Sequence, residues 1–178
     1  MNAKPIHTFH TAISKCQLLD GLSPAELREL GEHVRLQVFH KGNEILTEGN
    51  IYQGLWAVLS GTCEVVKFGS QPCGVLATLE PGSVFGEMSF FEGVAHSATV
   101  RCCEDVTAFC LTKKNYDELG EAHPHLAKKL AINLVRILSS RLRHMDDWTC
   151  KLVATQEHSE KNGEWQEFRA RLYSDIFD

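Results

Sequence analysis

Between Val34 and Leu111 apolar and polar residues follow a period of two, and turn formers interrupt that pattern about every six to twelve positions. A period of two puts successive side chains on opposite faces of an extended chain, which a helix cannot accommodate. The strand-like runs are Val34–His40, Glu44–Thr47, Leu55–Leu59, Thr62–Phe68, Gly74–Leu79, Ser97–Cys102 and Val106–Leu111. Between them lie Lys41-Gly42-Asn43, Glu48-Gly49-Asn50, Ser60-Gly61, Gly69-Ser70-Gln71-Pro72 and Glu80-Pro81-Gly82-Ser83, rich in the residues that turns require. Many short strands at such spacing predict a compact antiparallel β-roll or jelly roll, so the fold class is mainly β with flanking helices.

Helical signals bracket this region. Ser23-Pro24-Ala25-Glu26 reads as a capping box with proline at the first helical position, and Leu22 and Leu27 stand where a hydrophobic staple packs. That helix ends near His33. After the strands, Thr112 caps a short helix that stops at Glu121-Ala122-His123-Pro124, with Leu111 and Tyr116 as its staple. A long helix then runs from about His125 to about Thr155. Leu126, Leu130, Leu134, Ile137, Leu138, Leu142, Met145, Trp148 and Leu152 share one arc of it, widened by Ala127, Ala131 and Val135. The arc exceeds the ~100° that packing on one surface needs, so one edge is expected on the roll and the other on a second copy of the chain. Arg141 falls inside the arc, where a long stem lets the charge reach the edge. Lys129, Arg136 and Arg143 form a stripe opposite, expected to be solvated. Gln156–Asn162 reads as a linker, and Trp165, Phe168, Leu172, Tyr173 and Ile176 follow helical spacing in a last segment. Too short to stay helical alone, that segment must dock, either on its own roll or on a partner.

Phe85-Gly86-Glu87-Met88-Ser89-Phe90-Phe91, followed by His96-Ser97-Ala98-Thr99-Val100, carries the chemistry. It resembles the phosphate-binding cassette of the cyclic nucleotide-binding domain family, that of the catabolite activator protein effector domain. The family pattern is Phe-Gly-Glu, a short helix, then Arg-Ser/Ala/Thr-Ala-Thr/Ser-Val; here His96 stands at the arginine position. Phe39-x-Lys41-Gly42-x-x-Ile45-x-x-Glu48-Gly49 and Val58-Leu59-Ser60-Gly61-x-x-x-Val65 match the family's strand–turn pattern in the same order. The resemblance covers roughly residues 16 to 145. It implies a domain over residues 12–155 that includes a dimerisation helix, then a linker and amphipathic segment over 156–178.

The resemblance also implies a ligand site. Gly86 and Glu87 would meet the ribose and phosphate of cAMP or cGMP, and Met88 and Ser89 would belong to the same ligand-binding set. Ser97 and the backbone of Ala98 would meet the phosphate, and His96 would replace the arginine. A glycine lets backbone approach a ligand, a carboxylate accepts from a ribose hydroxyl, and a serine donates to a phosphate oxygen. A helix start adds backbone donors to such an anion site. Imidazole offers one donor at a time and is mostly uncharged at neutral pH, so the grip is expected to be weaker than a guanidinium's by about 1.5–3 kcal/mol. Two readings stay open: a sensor that binds a cyclic nucleotide weakly and acts through protein contacts, or a scaffold whose pocket is vestigial, with a neutral His96 hydrogen-bonded to Glu87.

Composition removes other classes. Net charge is −5, against a general nucleic-acid or anionic-membrane binder, while 43% hydrophobic residues support a real core. No apolar run reaches the ~20 residues of a membrane span, and the N-terminus lacks a signal-peptide core, so the cytoplasm is expected. The family's winged helix-turn-helix has no room in the roughly 23 residues after Thr155, and no DNA contact is expected. Seven scattered cysteines without a C-x-x-C pair read as small core hydrophobes in a reducing compartment, with Cys102 and Cys103 on opposite faces of a strand. His123-Pro124-His125 reads as a surface turn rather than a metal ligand. No nucleophile–base set, zinc motif, Walker loop or haem ligand set appears, so neither an enzyme nor a cofactor is expected.

Overall fold

The computed structural model describes residues 13–68 and 74–155, with the side chains of 152–155 left aside. Cys73, Leu152's side chain and the amphipathic segment around Trp165–Ile176 therefore lie outside the described residues. The chain divides into two units between Val135 and Arg136.

A short 3-10 turn at Gln17–Leu19 precedes α1 (Pro24–His33). The capping box is complete: Ser23 Oγ accepts from Glu26 N at 3.3 Å, and Glu26 Oε2 accepts from Ser23 N at 2.7 Å. Eight strands follow: β1 (Arg35–Phe39), β2 (Glu44–Leu46), β3 (Gly54–Ser60), β4 (Cys63–Lys67), β5 (Gly74–Leu79), β6 (Val84–Phe85), β7 (Thr99–Cys102) and β8 (Val106–Thr112). The helix α2 (Glu87–Glu92) sits between β6 and β7, while α3 (Lys113–Ala122) and α4 (Pro124–Thr155) come last. Thr112 caps α3 by accepting from Asn115 N at 3.2 Å.

All strand pairs are antiparallel, in two four-stranded sheets ordered β1-β8-β3-β6 and β2-β7-β4-β5. The period of two explains how they close on one another. Trp56 and Val58 of β3, with Val106, Ala108 and Cys110 of β8, face the roll interior beside Leu46, Cys63, Leu79, Phe85 and Val100. Leu55, Ala57, Leu59, Phe109 and Leu111, on the other face, are buried as well. Both faces of β3 and β8 are thus covered, which is why β3 reads as an unbroken apolar run. Cys63 lies opposite Cys102 across β4 and β7, and burial pushes the Cys63 thiol up to about 12. Cys102 is buried and Cys103 exposed, but β7 ends at Cys102 and Cys103 begins the following bend, so the two do not share a strand.

Differences from the sequence reading have local causes. The two-residue β6 is too short for any periodicity; its pairing with Trp56 and Ala57 makes it a strand. The run from Ser97 shortens to a strand beginning at Thr99, because Ser97 and Ala98 belong to the bend beside α2. Lys129 is not free of partners: its Nζ lies 2.8 Å from Glu26 Oε1, tying α4 to α1 and holding the Glu26 carboxyl down at about 2. Asn133, buried on the same helix, donates from Nδ2 to Leu18 O and Asp20 O at 3.0 and 2.8 Å.

Candidate functional site

The first arm of the site begins at Gly86, the residue before α2. Its φ is 83°, and a Cβ there would stand 2.5 Å from Gly54 O and 3.3 Å from Trp56 Cδ1. Only glycine tolerates both the left-handed backbone and the closeness to β3. The helix α2 is anchored from behind. Phe90 is fully buried, with its ring edge-on to Tyr116 of α3 at 5.5 Å, and Gln53 Nε2 donates to Phe90 O at 3.2 Å. Glu87 is half-buried and Met88 exposed, so these two and Gly86 present themselves at the surface.

The second arm is clamped to the turn after β2. His96 N donates to Asn50 O at 2.8 Å and Gly49 N donates to His96 O at 2.9 Å, while Glu48 N donates to Thr99 Oγ1 at 3.0 Å. Ser97 is exposed and Ala98 half-buried. Two contacts join the arms: Ser97 Oγ to Met88 Sδ at 3.9 Å, and Ser89 Oγ to His96 Nδ1 at 2.6 Å. All seven residues expected at the site therefore come together. They separate by depth: Gly86, Glu87, Met88, Ser97 and Ala98 reach the surface, whereas Ser89 and His96 are buried.

His96 departs from expectation. Only 6% exposed, its ring turns inward onto α2, and Nδ1 pairs with Ser89 rather than with Glu87. Nε2 is buried without a hydrogen-bond partner. Burial lowers the pKa, so the ring is neutral at neutral pH. Between Ser83 and Val100 the sequence has no Lys or Arg. That stretch offers an anion only neutral donors such as the Ser97 hydroxyl, without the charge that doubles the strength of a hydrogen bond. Gln53, Asn50 and Trp56 are supporting residues that spacing could not reveal, since they act through a backbone carbonyl, a backbone pair and a ring under a glycine. Among the described residues no cluster of three or more His, Cys, Asp or Glu stands ready for a metal ion.

This architecture, a two-sheet roll with a glycine-started helix between β6 and β7, is that of a known family, the cyclic nucleotide-binding domain, which matches residues 36–123. Residues 36–123 belong to the cyclic nucleotide-binding domain family. The crystal structure of such a domain from Methylobacillus flagellatus superimposes with a TM-score of 0.71 at 24% identity, over 86% of this chain and 85% of that one. The Thermus thermophilus catabolite activator protein gives a TM-score of 0.68 at 29% identity, over 77% of this chain and 63% of that one. Among curated relatives, glutaminase 1 of Bradyrhizobium diazoefficiens is 36% identical over 137 residues, 75% of this chain and 22% of that protein. The cAMP-dependent protein kinase regulatory subunit of Debaryomyces hansenii is 31% identical over 62% of this chain and 24% of its own length. The chain thus spans about a quarter or less of these two proteins. Regulatory proteins among the relatives support a regulatory or sensor role for the domain.

Proposed function

We propose that the chain is a sensor module whose cassette takes a cyclic nucleotide, cAMP or cGMP, or another small anion, weakly, and signals through protein contacts. The observation that carries this reading is the Gly86 turn packed against Gly54 O, with Ser97 meeting Met88 across the two arms. That scaffold brings the two arms together where the family has its cassette, with Glu87 half-buried on the first arm. In this reading the chain is not an enzyme; glutaminase is the name of a relative of which it matches 22%. The buried, neutral His96 favours a second reading, a ligand-independent scaffold with a vestigial pocket.

Calorimetric titration with cAMP and cGMP, wild type beside His96→Arg, separates the two. The sensor reading expects weak binding by the wild type and binding about one to two decades tighter in the variant. No heat from the wild type with either nucleotide leaves the scaffold.

The partner in this proposal is a second copy of the chain, through helix 125–155. Val135, Leu138, Leu142 and Met145, spaced three and four apart, are exposed, which suits a seam between two helices. An unknown protein partner would read the dimer. Neither DNA nor membrane is a partner in this proposal, and the chain works in the cytoplasm. No helix among the described residues is long and apolar enough to cross a membrane, and the net charge is −5.

A further inference from the structure

Cys63 and Cys102 stand opposite each other across β4 and β7, inside the roll. Both are buried, at 0% and 2% exposure, and their side chains hydrogen-bond one another. Their place in the ladder decides what they can do. Cys102 N donates to Asn43 O and Cys102 O accepts from Gly42 N, each at 2.8 Å, so both backbone groups point away from β4. On the β4 side the backbone bond comes from the next residue, Cys103 N to Thr62 O at 2.9 Å. Cys63 and Cys102 are therefore a non-hydrogen-bonded antiparallel pair, the kind whose side chains lie closest, with Cα atoms about 4.5 Å apart. A disulfide needs about 4.4–6.8 Å, so the backbone can hold one where it stands.

The pair also sits at the end of its ladder. Cys63 is the first residue of β4 and Cys102 the last of β7, with a bend at Gly61 before one and at Cys103 and Glu104 after the other. Fraying of a terminal rung is a small local opening, and it suffices to let a small oxidant reach sulfur. The two thiols are not equivalent. Burial raises both, Cys63 to about 12, but Cys63 donates its S–H to the Cys102 sulfur and so favours the Cys102 thiolate. Cys102 is thus the sulfur that attacks, and Cys63 the one that resolves.

We propose that Cys63 and Cys102 are a modification site, a cross-strand dithiol that hydrogen peroxide converts to a disulfide. The Cys102 thiolate attacks one peroxide oxygen: an S–O bond forms, the O–O bond breaks, and the departing hydroxide takes the thiol proton to become water. The Cys63 sulfur then attacks the Cys102 sulfenic sulfur. The S–S bond forms, the S–O bond breaks, and the Cys63 proton leaves with the hydroxide as a second water. Each sulfur loses one electron overall and the peroxide gains two. The bond joins β4 to β7, the strand that leaves the second arm of the cassette at Thr99, and closes a loop of about 40 residues.

The test treats the full folded chain with hydrogen peroxide, alkylates the remaining thiols and maps a tryptic digest without reductant. Residues 42–67 should appear joined to residues 102–113, with fragment ions placing the bond between Cys63 and Cys102. Dithiothreitol should reverse it, and Cys103→Ser, at an exposed position, should keep it. The linked chain should melt roughly 5 °C or more above the reduced one, as closure of a loop of that length predicts. Oxidation confined to the exposed Cys103 and Cys150 would overturn the proposal, as would a bond from Cys63 to Cys103 or Cys110 instead. A lower Tm in the linked form would overturn it too, since the register would then not accommodate the bond.

Discussion

The two halves of α4 carry one sequence pattern and meet two fates. From Pro124 to Val135, Leu126, Leu130 and Leu134 are each at most 2% exposed, and the polar Asn133 and Lys129 on neighbouring faces find specific partners. Beyond Ile137, which is still 6% exposed, the same three-and-four spacing continues through Leu138, Leu142 and Met145 to Trp148, yet Leu142 is 51% exposed and Trp148 63%. An amphipathic pattern states that a helix has an apolar face. It does not state whose surface covers that face, because burial is a property of the neighbour as much as of the helix.

The largest test of this contrast is truncation on each half. Leu130→Ala should cost about 2–5 kcal/mol in urea unfolding, since it leaves a cavity in a closed core. Leu142→Ala, measured dilute enough to keep the chain monomeric, should stay within about 0.5 kcal/mol, as at an ordinary surface position. Equal losses at both positions would erase the distinction. A smaller effect should follow at the polar pin of the packed half. Asn133→Ala strands two carbonyls, Leu18 O and Asp20 O, and should cost about 1–3 kcal/mol in the same assay.

The smallest expected effect is a pH slope, and it probes the same rule at the cassette, where burial again decides what a side chain is. Burial lowers the pKa of His96 in the folded chain, so the unfolded chain takes up the proton first as pH falls. Stability should be fully present above about pH 6.5, the ordinary histidine value, and decline as pH drops from there toward the folded pKa. Urea melts at about pH 7.5 and pH 5.5, bracketing that value, should differ less for His96→Gln than for the wild type. An unchanged slope would mean that the ring is not held neutral by its burial.

Legibility in the sequence tracked how local the cause of each feature is. The Ser23 capping box and the Thr112 cap were readable because each is complete within four residues. The turns were readable because glycine and proline act on their own backbone; Gly61 takes a φ of 81°, which glycine alone adopts without strain. That the residues from Gly86 to Ala98 come together was readable, since they are near neighbours in the chain. Their depth was not. His96 pairs with Ser89 seven residues away, and its backbone with Asn50 on another turn, so whether the imidazole faces outward or inward depends on how α2 packs. The edge strand β5 shows the same limit: its alternation predicts one buried face, yet Val75 and Leu76 are both exposed, and among the described residues β5 pairs with β4 alone.

The amino-acid order alone determined every described strand but β6, the two caps and the Gly86 turn, since steric and hydrogen-bonding preferences within a few residues suffice for these. The tertiary structure alone decided that both faces of β3 are buried, that His96 is a neutral core residue beside Ser89, and that half of α4 is covered. Solvent is excluded by atoms that arrive from distant parts of the chain, and both the charge of an imidazole and the worth of a leucine follow from that exclusion.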